Sequence, residues 1–365
     1  MKNIAVFFGG RSVEHEISVI TGMLVANTVN KEKYNVFPIY VDKNGTWHSD
    51  RQLFDADKFS QKEAEKLPIV TMACGKNVLF RLKGKKLKEL GRVAVAINCM
   101  HGENGEDGSL FGLLKMCGVP MCSPGLIASS TCMDKRFSKV VLKGLGIDAL
   151  PFVAVKSVRE LEDKKNKISY PAIVKPNLLG SSIGIGVAKD IGALKNAVNY
   201  ALRFGECAII EPCLNDFIEI NCSAYMDERG KIKVSECERP IGQKEVLTFS
   251  DKYEGGGREF PANIDEKVSS KIKCLTEKIY RELDARGIIR IDFFLSDGKI
   301  FVNEINTVPG SLAYYLHTKT LKEFSVVLDG IIKFSEMEFA KSNSFERVFK
   351  SDILNGFGSK GAKHL

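Results

Sequence analysis

The chain has 365 residues and a formal net charge of +8, from 53 Lys and Arg against 45 Asp and Glu, with 44% apolar and 27% charged residues. These are the proportions of a globular protein long enough for two or three domains, and no stretch of about 18 uncharged apolar residues offers a membrane span. The positive balance concentrates only at residues 83–88 and in the last twenty, so it reads as solvated lysines suited to anionic small ligands, with no nucleic-acid or membrane partner expected.

The apolar opening MKNIAVFFGG is too short for the core of a signal peptide and predicts a buried strand over residues 4–8. An amphipathic run over 13–29, a strand over 36–41 and another over 92–99 follow, an alternation that predicts a parallel sheet with helices on both faces. Asn44-Gly45 marks a hairpin turn, while the lysine-rich stretch 62–88 shows no assignable pattern. A helix over 110–117, with Leu110, Leu113, Leu114 and Cys117 on one face, leads into a loop over 118–125, the first expected domain boundary. Next come a helix over 134–143, a strand over 172–175, a Gly/Ser loop, a helix aligning Leu194, Ala197, Val198, Ala201 and Leu202, and a strand over 208–211. Two strands flanking a glycine loop suggest a small lid. The last part has a strand over 218–226, a loop-rich region over 238–262, a helix striped by Val268, Ile272, Leu275, Ile279 and Leu283, and two strands over 288–295 and 299–304 joined through Asp297-Gly298. A helix over 325–340 closes the fold, and the polar, glycine-rich residues beyond 342 read as a frayed tail. Ten cysteines lie between Cys74 and Cys274 with no C-x-x-C pair and no export signal, which points to reduced thiols in a cytoplasm.

The strongest chemical signal is the last hairpin. Alternation puts Arg290 and Asp292 on one face of its first strand, and Glu304 and Asn306 on one face of the second. Carboxylates on a hairpin are ordinarily just solvated, but here polar residues interrupt an apolar run, which costs free energy unless something charged fills the site. Oxygen donors from Asp, Glu and Asn suit a hard cation such as Mg2+, which needs few protein oxygens when nucleotide phosphates complete its shell. Arg290 beside it would counter developing negative charge.

A second signal is Lys175 at a strand end, followed by PNLLGSSIGIG, whose N–H groups and two hydroxyls can cradle phosphate oxygens. The G-x-x-x-x-G-K-[ST] order is absent, so this is not a P-loop. No G-x-G-x-x-G opens a helix after the first strand, which argues against a nicotinamide dinucleotide. A third signal, HGENGEDG over 101–108, lies beyond a parallel strand's carboxyl end, where such sheets bind ligands, and Gly9, Gly10, Arg11 and Ser12 share that edge. Glu14 follows just inside the next helix, where a carboxylate is ordinarily a cap.

These residues belong to a longer series. GGRSVEHEIS, HGENGEDGSLFG, MDKRFSK, IVKPNLLGSSIG, DKYEGGGREFPA, RIDFFLSDG and NEINTVPG, in this order, resemble the D-alanine–D-alanine ligases of the ATP-grasp superfamily over residues 1–340. The resemblance implies an α/β, three-domain ATP-grasp fold: an N-terminal parallel-sheet (pre-ATP-grasp) domain over 1–123, a small central lid domain over 124–213, a C-terminal α+β catalytic domain over 214–342 and a flexible tail over 343–365. It implies ATP-dependent joining of two D-alanines through an acyl-phosphate, for peptidoglycan precursors, by a cytoplasmic homodimer. By the same resemblance Lys135 and Lys175 hold the ATP phosphates, Glu211 and Leu214 meet adenine through the hinge backbone, and Glu219 takes the ribose hydroxyls. Asp292, Glu304 and Asn306 hold two Mg2+ ions, with Mn2+ a substitute. Glu14 receives the first substrate's ammonium, linked to Ser181 and Tyr253, and Lys252 lies on a loop that closes over phosphate. Arg290 and the backbone of Gly310 stabilise the tetrahedral intermediate, while His101 and Glu106 line the substrate side.

Three positions depart from the family. Tyr315 stands where a serine helps bind the second substrate's carboxylate, Pro212 occupies the hinge, and Phe111 replaces a Gln. Two alternatives stay open: the same chemistry with D-serine, D-lactate or another amino acid as acceptor, and a nucleotide-binding homologue without turnover, although no phosphate lysine or metal ligand is missing.

Overall fold

A computed structural model of the chain describes residues 1–241 and 257–350. Strand β1 (Lys2–Gly9) is wholly buried from Ile4 to Phe8, as a central parallel strand must be, and helix α1 (His15–Thr28) packs on it. β2 (Tyr34–Val41) pairs with β1 in parallel, and β3 (Trp47–His48) folds back through the Asn44-Gly45 turn. A short helix α2 (Asp57–Ser60) precedes an antiparallel sheet of β4 (Val70–Met72), β5 (Val78–Lys83) and β6 (Lys86–Arg92). β7 (Val95–Asn98) then joins β1 on its free side, and helix α3 (Ser109–Met116) leads to β8 (Met121–Cys122), giving the order β3-β2-β1-β7-β8.

Two expectations are corrected here. The lysine-rich stretch, unassignable from the sequence, contains β4, β5 and the start of β6, hidden from pattern reading because β6 is exposed along nearly its whole length and so shows no alternation of burial. The loop over 118–125 contains β8, which at two residues is too short to carry a period.

Helix α4 (Leu126–Met133), unforeseen, precedes α5 (Lys135–Gly144), which Asp134 caps by accepting the Phe137 N–H at 2.9 Å. β9 (Val153–Val155), α6 (Val158–Lys164), β10 (Ala172–Pro176), β11 (Gly186–Ala188), α7 (Ile191–Ala201) and β12 (Ala208–Pro212) form a unit whose antiparallel sheet runs β11-β10-β12-β9. Its own small core joins Leu161, Val174, Leu194 and Val198.

The last sheet runs β14-β13-β17-β18, from β13 (Ile218–Met226), β14 (Ile232–Val234), β17 (Ile288–Ser296) and β18 (Lys299–Asn306), with helix α8 (Glu266–Glu282) packed on it. Asp297 and Gly298 take φ of +51° and +70°, the left-handed pair that a tight hairpin needs. The region expected as loop over 238–262 contributes a paired ribbon, β15 (Arg239–Ile241) with β16 (Gly257–Glu259). Helices α9 (Tyr314–His317) and α10 (Leu321–Asn343) end the fold, α10 beginning four residues earlier than the expected start at 325 because Thr320 caps it. Phe324, Leu328 and Ile331 of α10 share one core with Ile4, Val6 and Phe8 of β1 and with Leu312 and Ala313, so the segment after β18 is fixed against the first sheet.

Candidate active site

Between the β10–β12 sheet and the β13–β18 sheet lies a cleft of about 800 Å³, its open mouth included. Lys135, Lys175, Gly180, Ser182, Glu211, Leu214, Glu219 and Glu304 all line it. Leu150, Ile173, Phe217 and Phe294 give its inner part an apolar lining, with the Phe217 and Phe294 rings edge-to-face at 4.6 Å. That slot suits a planar base, and the lysine end suits its phosphates.

The lysines are held in place by protein acceptors. Glu211, 2% exposed, meets Lys139 at 2.6 Å through one oxygen and Lys175 at 2.8 Å through the other. Burial alone would raise the Glu211 acid, but Lys175 and Lys139 outweigh it and the group lies below its ordinary range. Burial above all draws Lys139 below the usual lysine range. Lys135 donates to the Leu179 carbonyl at 2.7 Å and lies 3.6 Å from Glu304. Lys175 also donates to Asn303 Oδ1 at 3.2 Å. A β-bulge where β18 passes Asp292 lets Asn303 and its neighbour Glu304 both line the cleft, which strict alternation would forbid. Lys139 escaped the sequence reading, although it lies one helical turn beyond Lys135 in the same motif.

Buried carboxylates lie behind the Gly180 side of the cleft. Glu14 is buried before α1 and accepts the Ser181 hydroxyl, which ties the Gly/Ser loop to the first sheet. Ser181 and Ser182 both adopt left-handed backbone, φ +54° and +58°, a conformation found where surroundings over-determine it. Gly102, φ +72°, has no room for a Cβ beside the Ser12 hydroxyl and Glu14, which is why the HGENG loop can come this close. Glu106 accepts the N–H of Gly102 at 2.9 Å and of Val308 at 3.0 Å, and burial followed by the Glu14 charge pushes its acid up to about 8. His101 shares the Thr21 hydroxyl, at 2.9 Å, with the Ser311 N–H. Burial, with the Arg290 charge, draws it down to about 3, so the imidazole is neutral. Lys252 and Tyr253 lie outside the described residues.

The register Arg290↔Asn306 and Asp292↔Glu304 puts all four hairpin residues on one face, as alternation predicts. Arg290 grips both Asp292 oxygens, at 2.7 and 3.0 Å, and Asn306 donates to Asp292 at 3.0 Å. Asp292, Glu304 and Asn306 offer only hard oxygen donors, and Arg290 and Lys135 pair with the two carboxylates here. That chemistry fits a divalent cation arriving with phosphate. Among the described residues no three His, Cys, Asp or Glu side chains gather as a self-standing metal cage. Gly310 opens a turn in which Ser311, Leu312 and Ala313 all take φ near +50°, anchored by the burial of Leu312 and Ala313.

Comparison with known proteins points the same way from both ends of the chain. Residues 3–124 match the family model of the D-ala D-ala ligase N-terminus, and residues 141–333 that of the D-ala D-ala ligase C-terminus. The chain is 36% identical over 344 residues to a D-alanine–D-alanine ligase of Thermosipho melanesiensis, covering 91% of this chain and 93% of that one. It superposes on the D-alanine–D-alanine ligase of Helicobacter pylori with a TM-score of 0.76 and 28% identity, covering 91% of this chain and 98% of the other. The VanG D-Ala:D-Ser ligase of Enterococcus faecalis superposes with a TM-score of 0.76 and 26% identity, covering 92% and 99%. With both halves of the chain matched and the fold shared along nearly its whole length, the protein belongs to the D-alanine–D-alanine ligase family and has its ATP-grasp fold.

Proposed function

We propose that this chain is an ATP-dependent ligase that joins two D-alanines into D-alanyl-D-alanine through an acyl-phosphate, releasing ADP and phosphate, for peptidoglycan precursor synthesis. The observation that carries the reading is a cleft lined by Lys135 and Lys175, with Lys139 behind Glu211, whose Gly180 loop lies against the buried carboxylate Glu14. A carboxylate becomes an acylating agent only after phosphorylation, and the obstacle is repulsion between its charge and the γ-phosphate. The lysines offset that repulsion, while Glu14 takes the ammonium of the first D-alanine and so aims its carboxylate at phosphorus.

Glu211 and Leu214 offer backbone to adenine and Glu219 takes the ribose hydroxyls. Asp292, Glu304 and Asn306 would hold the divalent metal, two Mg2+ ions in this reading with Mn2+ a substitute, whose charge shields the phosphates when bound. Arg290 and the Gly310 N–H face the oxygen that gains charge as the second amine attacks. His101 and Glu106 shape the substrate side, Ser181 and Tyr253 complete the link to Glu14, and Lys252 closes over phosphate to exclude water. We assign the divisions at 1–123, 124–213, 214–342 and 343–365 to the three domains and tail, and read the protein as a cytoplasmic homodimer. No helix among the described residues is long and apolar enough to cross a membrane.

Tyr315 favours a second reading, the same chemistry with D-serine, D-lactate or another amino acid as acceptor. Release of ADP and phosphate with ATP, Mg2+ and a panel of D- and L-amino acids and D-lactate, with products identified by mass, decides between them. D-alanyl-D-alanine as the main product upholds the first reading, and another dipeptide or a depsipeptide moves the acceptor. No turnover with any pair sinks both.

A further inference from the structure

One charged pair beside Arg290 and Tyr315, Arg258 with Glu238, has no role in the reading above. Tyr315, on α9, places its hydroxyl against the Arg290 guanidinium, and the guanidinium of Arg258, from β16, lies over its ring at 4.7 Å. Arg258 meets buried Glu238 at 3.6 Å, and Glu238 takes the Asn221 amide at 3.2 Å on its other oxygen.

We propose that Arg258 is a specificity-determining residue that binds the carboxylate of the acceptor amino acid, with the Tyr315 ring as its platform and Glu238 as its brace. The inference deepens the ligase reading and rests on it. The acceptor brings a carboxylate that the reaction does not consume, and that charge needs a cation on the side of Arg290 away from the phosphates. The lysines of the cleft serve the opposite wall, held by Glu211, Glu304 and the Leu179 carbonyl, and Arg290 holds Asp292 bidentately. Arg258 has the longer pairing and keeps 47% of its side chain exposed, while the aromatic face beneath it fixes the plane of the guanidinium, the fork that matches a carboxylate. Glu238 is shared: one oxygen faces Arg258 and the other takes the Asn221 amide, while the Arg258 guanidinium is always cationic. Tyr315 thus lies between the guanidinium that attends the reacting carbonyl and the one that takes the acceptor.

The test is steady-state kinetics of the full chain with ATP, Mg2+ and D-alanine, separating the donor and acceptor KM, with D-alaninamide as an acceptor that lacks the carboxylate. Arg258→Met should raise the acceptor KM about ten- to a hundred-fold, the loss of one charge-assisted hydrogen-bonded pair, and leave the KM for ATP and donor unmoved. Arg258→Lys should recover part of the loss. Wild type should prefer D-alanine to D-alaninamide as acceptor, and Arg258→Met should lose that preference. An unmoved acceptor KM, a preference that survives in Arg258→Met, or a parallel rise of all three KM values overturns the assignment while wild-type turnover keeps the ligase reading. Absence of turnover in wild type with every acceptor overturns both.

Discussion

The two walls of the cleft solve opposite problems with different chemistry. On the nucleotide side, cations are held apart by carboxylates: Lys139 and Lys175 converge on Glu211, and Lys135 stands 3.6 Å from Glu304. On the substrate side, carboxylates are held by hydroxyl and backbone N–H donors: Ser181 for Glu14, Gly102 and Val308 for Glu106. The first wall sets its lysines against carboxylates, while the second holds its carboxylates with neutral donors, so an incoming charged group meets pre-paired ions on one side and hydroxyl and N–H donors on the other.

The most damaging test of this contrast is Glu14→Gln. The isosteric amide keeps the shape but removes the buried charge that we assign to the ammonium, so kcat/KM for the donor should fall by about two to four orders of magnitude, about 3–5 kcal/mol of transition-state stabilisation, with the KM for ATP unchanged. A matching rise in the ATP KM would show that the walls do not act separately. Glu211→Gln probes the other wall and should be read in stability as well as binding. It leaves Lys139 and Lys175 converging on a neutral group, and thermal or urea unfolding should register a loss of about 3 kcal/mol together with a higher ATP KM. An unaltered midpoint would mean that the lysines simply swing apart into solvent.

What was readable in advance follows the same division. The hairpin face with Arg290, Asp292, Glu304 and Asn306 was legible because an Asp-Gly turn fixed its register and polar residues broke an otherwise apolar strand. The parallel sheet was legible because β1 is continuously apolar between glycine and helix signals. Asn303 was not, since only the bulge turns it toward Lys175. Lys139 and Glu211 are remote in sequence, and their pairing exists only in the tertiary structure. Arg258 and Glu238 meet because β15 pairs with β16 in the register Pro240↔Arg258, in a region whose composition reads as loop. Tyr315 was visible as a departure, but its place between two guanidinium groups belongs to the tertiary structure.

Glu106 sharpens the picture of the substrate wall through pH. Its folded acid stands near 8 against an ordinary 4.5, so the unfolded chain ionises first as pH rises. Stability is therefore full below about 4.5 and falls until about 8. Glu106→Gln gives up one of the two backbone hydrogen bonds, making the variant less stable at pH 5 by about 1–2 kcal/mol, but it removes the titration. The gap between variant and wild type, from urea titrations at several pH values, should close as pH rises and reverse in favour of the variant before about pH 8. A constant gap would mean that Glu106 is already ionised across the range.

The smallest effect belongs to His317, which lies outside both walls and serves as their control. Its Nε2 is 2.8 Å from Ser223 Oγ, and that hydroxyl donates to the Ile289 carbonyl at 2.6 Å, so Nε2 must carry the proton. Burial draws the imidazole down to about 4 from 6.5, so below pH 6.5 the unfolded chain takes up a proton that the folded chain refuses, and stability falls toward acid. His317→Gln keeps a donor and removes the titration. At pH 7 it should cost about 1 kcal/mol or less, and the difference should shrink or reverse by pH 5 with neither substrate's KM disturbed. If His317→Gln instead moves the acceptor KM, then α9 transmits strain from this histidine to Tyr315, and the substrate wall extends further into the core than its carboxylates indicate.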